Sequence, residues 1–201
     1  MCRVATMVPL RKRALLFTLG LLLGAPAVVL AADPSQVPAM LGIRWLQLPA
    51  ATGYRAIAVQ TEPCPPGAPR TATGTCRFGP SYGVVYRRAE TGQCVVVEGV
   101  GGGIGGPATQ YAWSVPGPAG PVDLKVGGPA AQPQALPPVL RRKPSWEMYS
   151  EWIGEGPFQR LQVWRPDLER QYPGTRTQCR RPLTPQEMAD LLRALQWRSP
   201  G

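Results

Sequence analysis

Histidine is absent from this 201-residue chain. That removes the base of Ser-His-Asp and Cys-His catalysis, the usual ligand of zinc enzymes and haem, and the usual pH switch. Five cysteines are present, but no C-x-x-C spacing occurs. The common thiol-redox motif and the paired spacing of zinc sites are thereby excluded. Lysine is scarce: Lys12, Lys125 and Lys143 are the whole set, and no S-x-x-K places one beside a serine nucleophile. Apart from thiols, carboxylates are the acid–base groups left. Neither a cofactor nor a metal is expected, and no residue is assigned a catalytic role.

What the chain does have begins with the basic cluster Arg11-Lys12-Arg13 and the apolar stretch Ala14–Ala32. A positive segment, a short apolar core and small residues at a cut describe a secretory signal peptide, residues 1–31, cleaved after Val29-Leu30-Ala31. The alternative is a membrane anchor, which needs about 20 apolar residues. The dense part, Leu15–Leu23, is shorter than that, and Gly24-Ala25-Pro26 breaks a helix before the cut. The reading is therefore an exported chain, 32–201, periplasmic or secreted, with no membrane span after cleavage.

Removing the signal's four basic residues from the net charge of +10 leaves +6. A basic surface suits an anionic envelope component, although such charge also serves solubility. No nucleic-acid module appears, so nucleic acid is not an expected partner. Another envelope protein is the other expected partner class. The bacterial envelope is inferred from the alanine-ended signal and the Ala/Arg/Pro/Gly-heavy composition.

Export makes disulfides available. Cys2 leaves with the signal, so Cys64, Cys76, Cys94 and Cys179 remain, and four cysteines allow three pairings. The preferred pairing is Cys64–Cys76, closing a Pro/Gly-rich loop, with Cys94–Cys179 tying a strand to the C-terminal region.

Alternation predicts strands at Gly42–Leu48 and Tyr54–Thr61, the latter with Ile57 and Val59 on one face. Tyr82–Arg88 and Gln93–Val100 read as a β-hairpin with Gly92 in its loop. Val95, Val96 and Val97 in a row imply a strand covered on both faces. Gly101–Gly106 matches G-x-G-x-x-G, but Pro107 follows where a phosphate-binding helix would open, so a loop is expected. Thr109–Val115 and Val122–Val126 are further strands, separated by the turn-rich Pro116–Pro121. Gly127–Pro138 is low in complexity and is the linker candidate.

The C-terminal part carries the helix signals. Ser145–Ile153 reads as a helix capped by Ser145 and stopped by Gly154. Phe158–Trp164 reads as a strand. Pro185–Trp197 is the strongest helix: Thr184 to Glu187 spells a capping box, and Met188, Leu191, Leu192 and Leu195 form one apolar stripe. The fold class is α+β: an antiparallel β-rich part (32–126), a Pro/Gly-rich linker (127–144) and a part bearing two helices (145–201), together one exported domain.

The candidate binding residues are Trp146, Glu147, Tyr149, Glu151 and Trp152, with Glu155 next to them. Aromatic side chains with charged neighbours are common anchors of binding surfaces, and buried they are simply core. On a helix, Glu147 and Glu151 would lie one turn apart. The function read from the sequence is binding by an exported, disulfide-bonded envelope protein. Its alternatives are a cell-wall glycosidase using the Glu147/Glu151 pair, and an assembly or structural component docked through the C-terminal helix.

Overall fold

The computed structural model describes residues 43–62, 81–100, 108–154 and 158–199. The signal segment with its cleavage site, the Cys64–Cys76 pairing, the 101–107 glycine run and Glu155 lie outside the described residues.

The described chain is β-rich, its strands almost all antiparallel, with one α-helix in the C-terminal part. In order the strands are β1 (Trp45–Gln47), β2 (Tyr54–Glu62), β3 (Ser81–Arg88), β4 (Cys94–Val100), β5 (Thr109–Gly117), β6 (Gly120–Pro129), β7 (Gln134–Ala135), β8 (Met148–Ser150), β9 (Phe158–Val163) and β10 (Gln196–Arg198); the helix, α1, is Pro185–Ala194. Eight strands make one sheet in the order β2-β3-β4-β9-β8-β6-β5-β7. Only the β5–β7 pairing is parallel. β8 and β9 come from the C-terminal part of the chain, yet they sit in mid-sheet between β4 and β6. β1 and β10 form a separate antiparallel pair.

The sheet is covered on both faces, which explains three consecutive valines at 0% exposure. Val95 and Val97 point to one face with Val84, Tyr86, Leu161 and Val163, where α1 and β1 cover them. Val96 points to the other with Val85, under a strap running from Trp164 to Cys179. Within the strap, Trp164 Nε1 donates to Thr175 Oγ1 (2.9 Å), and Glu169 accepts from the backbone N–H of Gly174 (2.7 Å) and Arg176 (2.6 Å). The bond from Gly174 leads the set of hydrogen bonds that holds the Glu169 carboxyl below its usual range. The Cys94–Cys179 disulfide, preferred from the sequence, fastens the far end of the strap to β4. At Gly83 a Cβ would lie 1.7 Å from the Tyr172 hydroxyl, so only glycine lets that buried ring lie on β3.

β1 is docked by two buried side chains, Gln159 and Tyr82, the Tyr82 hydroxyl also accepting from the Leu46 N–H (3.3 Å). Gln159, at 0% exposure on β9, accepts from the Tyr82 hydroxyl and the Leu46 N–H and donates to the Arg44 carbonyl (2.8 Å). A buried amide satisfied at both ends fixes register as well as position.

The capping box of α1 forms as its sequence implies. Thr184 Oγ1 accepts from the Glu187 N–H (3.2 Å), and the Glu187 carboxylate accepts from the Thr184 N–H (2.7 Å). The four stripe residues Met188, Leu191, Leu192 and Leu195 are all buried. Burial alone would raise the Glu187 pKa, but hydrogen bonds from Thr184 and Gln93 outweigh it and the net shift is downward. Replacing Thr184 by alanine is expected to lower stability by about 1 kcal/mol, read as a reduced urea midpoint at pH 7. A carboxyl with a lowered folded pKa stabilises above its unfolded value. The contribution fades as pH falls through and below the ordinary glutamate range, and in Thr184→Ala part of that acid sensitivity should vanish. An unchanged midpoint would mean that packing alone sets the helix start.

Several expectations need correction. Ser145–Ile153 is not a helix. Its centre, Met148–Ser150, is strand β8, paired to β6 and β9. Ser145 does accept from a backbone N–H, but that of Glu147, two residues on (3.1 Å), which closes a local turn rather than opening a helix. The C-terminal helix stops at Ala194 instead of Trp197, because Trp197 pairs with Leu46 in β10 and lies under the Arg44 guanidinium at 4.7 Å. Ile57 and Val59 face opposite sides: a bulge between Ala56 and Ala58 adds one residue and flips the alternation. The Pro116–Pro121 break is narrower than expected. Pro116 and Pro121 sit directly opposite each other at the ends of β5 and β6, where neither partner β7 nor partner β8 reaches. In the linker candidate, β6 continues to Pro129 and β7 occupies Gln134–Ala135.

Candidate functional site: the Arg160 face

Strand geometry sorts the predicted binding residues. Along β8, Met148 and Ser150 point into the core, and the Ser150 hydroxyl accepts from the Leu161 N–H (3.0 Å). Tyr149 therefore points to the opposite face, with Lys125 of β6 and Gln162 of β9 beside it as register partners. Arg160 lies two residues from Gln162 along β9, on that same face. Its guanidinium sits 5.6 Å from the Tyr149 ring centroid and 4.6 Å from that of Trp152.

Arg160 is held from below. Its cross-strand partner is Glu98 of β4, with which it forms an ion pair. The other Glu98 oxygen accepts from Gln162 Nε2 (2.8 Å). Glu98 is 9% exposed, so its charge is satisfied by these two partners in a nearly dry setting. The buried Tyr172 hydroxyl borders the same ion pair. Its pKa is pushed up by burial and further by the Glu98 charge, with Arg160 opposing. Tyr149 is raised as well, by burial first, with Arg160 and Lys125 pulling the other way. The result is a rigid Glu98–Arg160 post carrying two partly exposed aromatic rings.

The predicted residues do not stay together. Tyr149 and Trp152 meet on Arg160. Glu151 turns to Lys125, its carboxylate 2.9 Å from Nζ, and this hydrogen bond is the leading cause of a raised Lys125 pKa. Trp146 joins the packing instead, edge-on to the buried Trp164 with centroids 6.4 Å apart. Glu147 is exposed at the start of β8. The helical spacing proposed for Glu147 and Glu151 does not exist. Glu98, Arg160 and Gln162 were not singled out from the sequence. One signal pointed there: Glu98 is the sole acid in a valine strand covered on both faces, and a buried carboxylate requires a cation.

A concavity of about 200 Å³ lies away from this face, between the β2 start and α1, lined by Tyr54, Arg88, Glu187 and Asp190 among others. Glu187 there is already committed to the capping box. Among the described residues no group of three His, Cys, Asp or Glu side chains is placed to hold a metal ion. No helix of the described residues is long and apolar enough to cross a membrane. Compared with protein-family models, curated proteins and solved structures, the chain matches none.

Proposed function

We propose that this chain is an exported, disulfide-bonded protein of the bacterial cell envelope that acts by binding, and that the Arg160 face receives the ligand. The observation carrying the reading is the pair of partly exposed rings, Tyr149 and Trp152, immobilised on a guanidinium that is itself anchored by Glu98. Aromatic platforms held rigid before binding lose little entropy when a sugar or peptide stacks on them. The Cys94–Cys179 bond supports an oxidising compartment. Glu98 neutralises Arg160, so attraction to an anionic envelope component falls to the rest of the basic surface.

The glycosidase alternative has less support. A general acid needs an enclosed carboxyl that keeps its proton, and an opposed partner across the scissile bond. Glu147 is exposed and Glu151 is bonded to Lys125.

Co-sedimentation with purified cell wall tests the reading. Truncating an anchoring aromatic weakens binding by about 2 kcal/mol, on the order of 30-fold. Trp152→Ala should therefore leave most of the protein in the supernatant at a concentration where wild type pellets. Equal pelleting of the two, or no pelleting of wild type, would remove this face from consideration. Release of reducing ends from the same wall preparation would favour the glycosidase.

A further inference from the structure

We infer a second binding site, for phosphate-bearing ligands, in the hollow between the β3–β4 hairpin tip and the turn at Thr177–Arg180. It is independent of the Arg160 face, because it involves other residues at the opposite end of β4, and either site can fail alone.

The hollow measures about 460 Å³ and is lined mainly by polar groups, among them Arg87, Thr91, Gly92, Thr177, Gln178 and Arg180. Its walls are fixed to each other. The Arg180 N–H donates to the Gly92 carbonyl (2.9 Å), the hairpin is closed by Gly92 N–H to Arg88 carbonyl (2.9 Å), and the disulfide lies one residue from Arg180. Gly92 has φ +70°, a left-handed backbone conformation that favours glycine at the hairpin tip.

The charges are unbalanced in one direction. Arg87 is the direct cross-strand partner of Arg55. Like charges placed directly opposite on neighbouring strands are destabilising. Arg180 adds a third positive charge at the same rim. Among the described residues none of these three arginines has a salt bridge. The one acid in the lining, Glu90, lies 3.7 Å from Arg88 Nε instead. A bound anion would relieve the repulsion that the sequence maintains here.

The guanidinium groups are also oriented in advance. Arg87 Nε donates to the Gln178 carbonyl (3.1 Å) and Arg180 Nε to the Thr177 carbonyl (2.6 Å). Each side chain is thus restrained by its Nε, while the terminal nitrogens carry the fork that suits phosphate oxygens. Two guanidinium groups with the nearby Thr177 hydroxyl match a phosphate or diphosphate better than a lone carboxylate. Phosphate of this kind occurs on envelope polymers and on lipid headgroups.

The test is calorimetric titration of the whole protein with inorganic pyrophosphate in low-salt buffer. Saturable one-site binding is expected, weakening as salt is raised. Arg180→Gln, at an exposed position that cannot harm the core, should weaken it about tenfold, the loss expected for one charge-assisted contact. Arg87→Gln should do the same. Arg193→Gln, on α1 and paired with Asp190, should bind as wild type does. Competition between pyrophosphate and phosphatidylglycerol vesicles would assign the natural source to lipid, and its absence to a polymer; both presuppose the site. Absence of saturable binding, or equal binding by wild type and Arg180→Gln, would overturn the inference.

Discussion

Cys94→Ala/Cys179→Ala should lose about 4–5 kcal/mol of unfolding free energy. The bond closes a loop with a sequence separation of 85 residues, and in the chain-entropy model closure of that length restricts the unfolded chain by about 4.5 kcal/mol. The two thiol positions are 1% and 3% exposed, so alanine there also gives up some packing. Urea unfolding of the double variant, and of wild type with and without reductant, measures the loss. The damage should not be uniform. The strap carries Trp164, Leu168 and Tyr172 over Val85 and Val96. Its protection against hydrogen exchange should fall first, while β3, β4 and α1 keep theirs up to global unfolding. A loss below about 1 kcal/mol would mean that the strap closes the loop unaided, with the unfolded chain already compact there.

That bond was legible because an expected export signal, an even set of cysteines and Cys94 opening a strand of valines all pointed to it. The capping box at Thr184 and the hairpin around Gly92 were legible because each depends on neighbours within a few residues, and the double coverage of Val95–Val97 because three apolar residues in a row leave a strand no polar face. The failures share the opposite cause. β8 is three residues long and exists only because β6 and β9 pair with it. Its own segment offers a serine, a run of aromatics and a glycine, which resemble a capped helix. The true constraint, alternation of Met148 and Ser150 inward with Tyr149 outward, was too short to show. The bulge at Ile57 is likewise set by the register against β3. At the candidate site the sequence supplied Tyr149 and Trp152 but not what holds them, because Glu98 and Arg160 are 62 positions apart. Only sheet topology makes them neighbours.

Arg160→Met probes that hidden half of the site. The substitution keeps most of the stem and removes the charge. It leaves the nearly buried Glu98 carboxylate with Gln162 Nε2 as its remaining hydrogen-bond partner. Breaking a buried pair from one side costs about 3–5 kcal/mol, mainly the uncompensated charge. A quarter of the Arg160 side chain is open to solvent (25%), which places this case near the low end, about 3 kcal/mol after screening. Glu98→Met/Arg160→Met should recover most of it and unfold within about 1 kcal/mol of wild type, because methionines of similar reach fill the space without a charge to satisfy. The double-mutant cycle, run by urea unfolding, should then give a coupling of about 2–3 kcal/mol. If Arg160→Met alone stays within about 1 kcal/mol of wild type, solvent already screens the pair and the post is not what fixes the rings. The double variant separates the two roles of Arg160. With the fold restored and the guanidinium gone, Tyr149 and Trp152 lose the cation they stack on. Cell-wall binding should therefore remain weak although stability returns, whereas an arginine needed only for packing would give both back together.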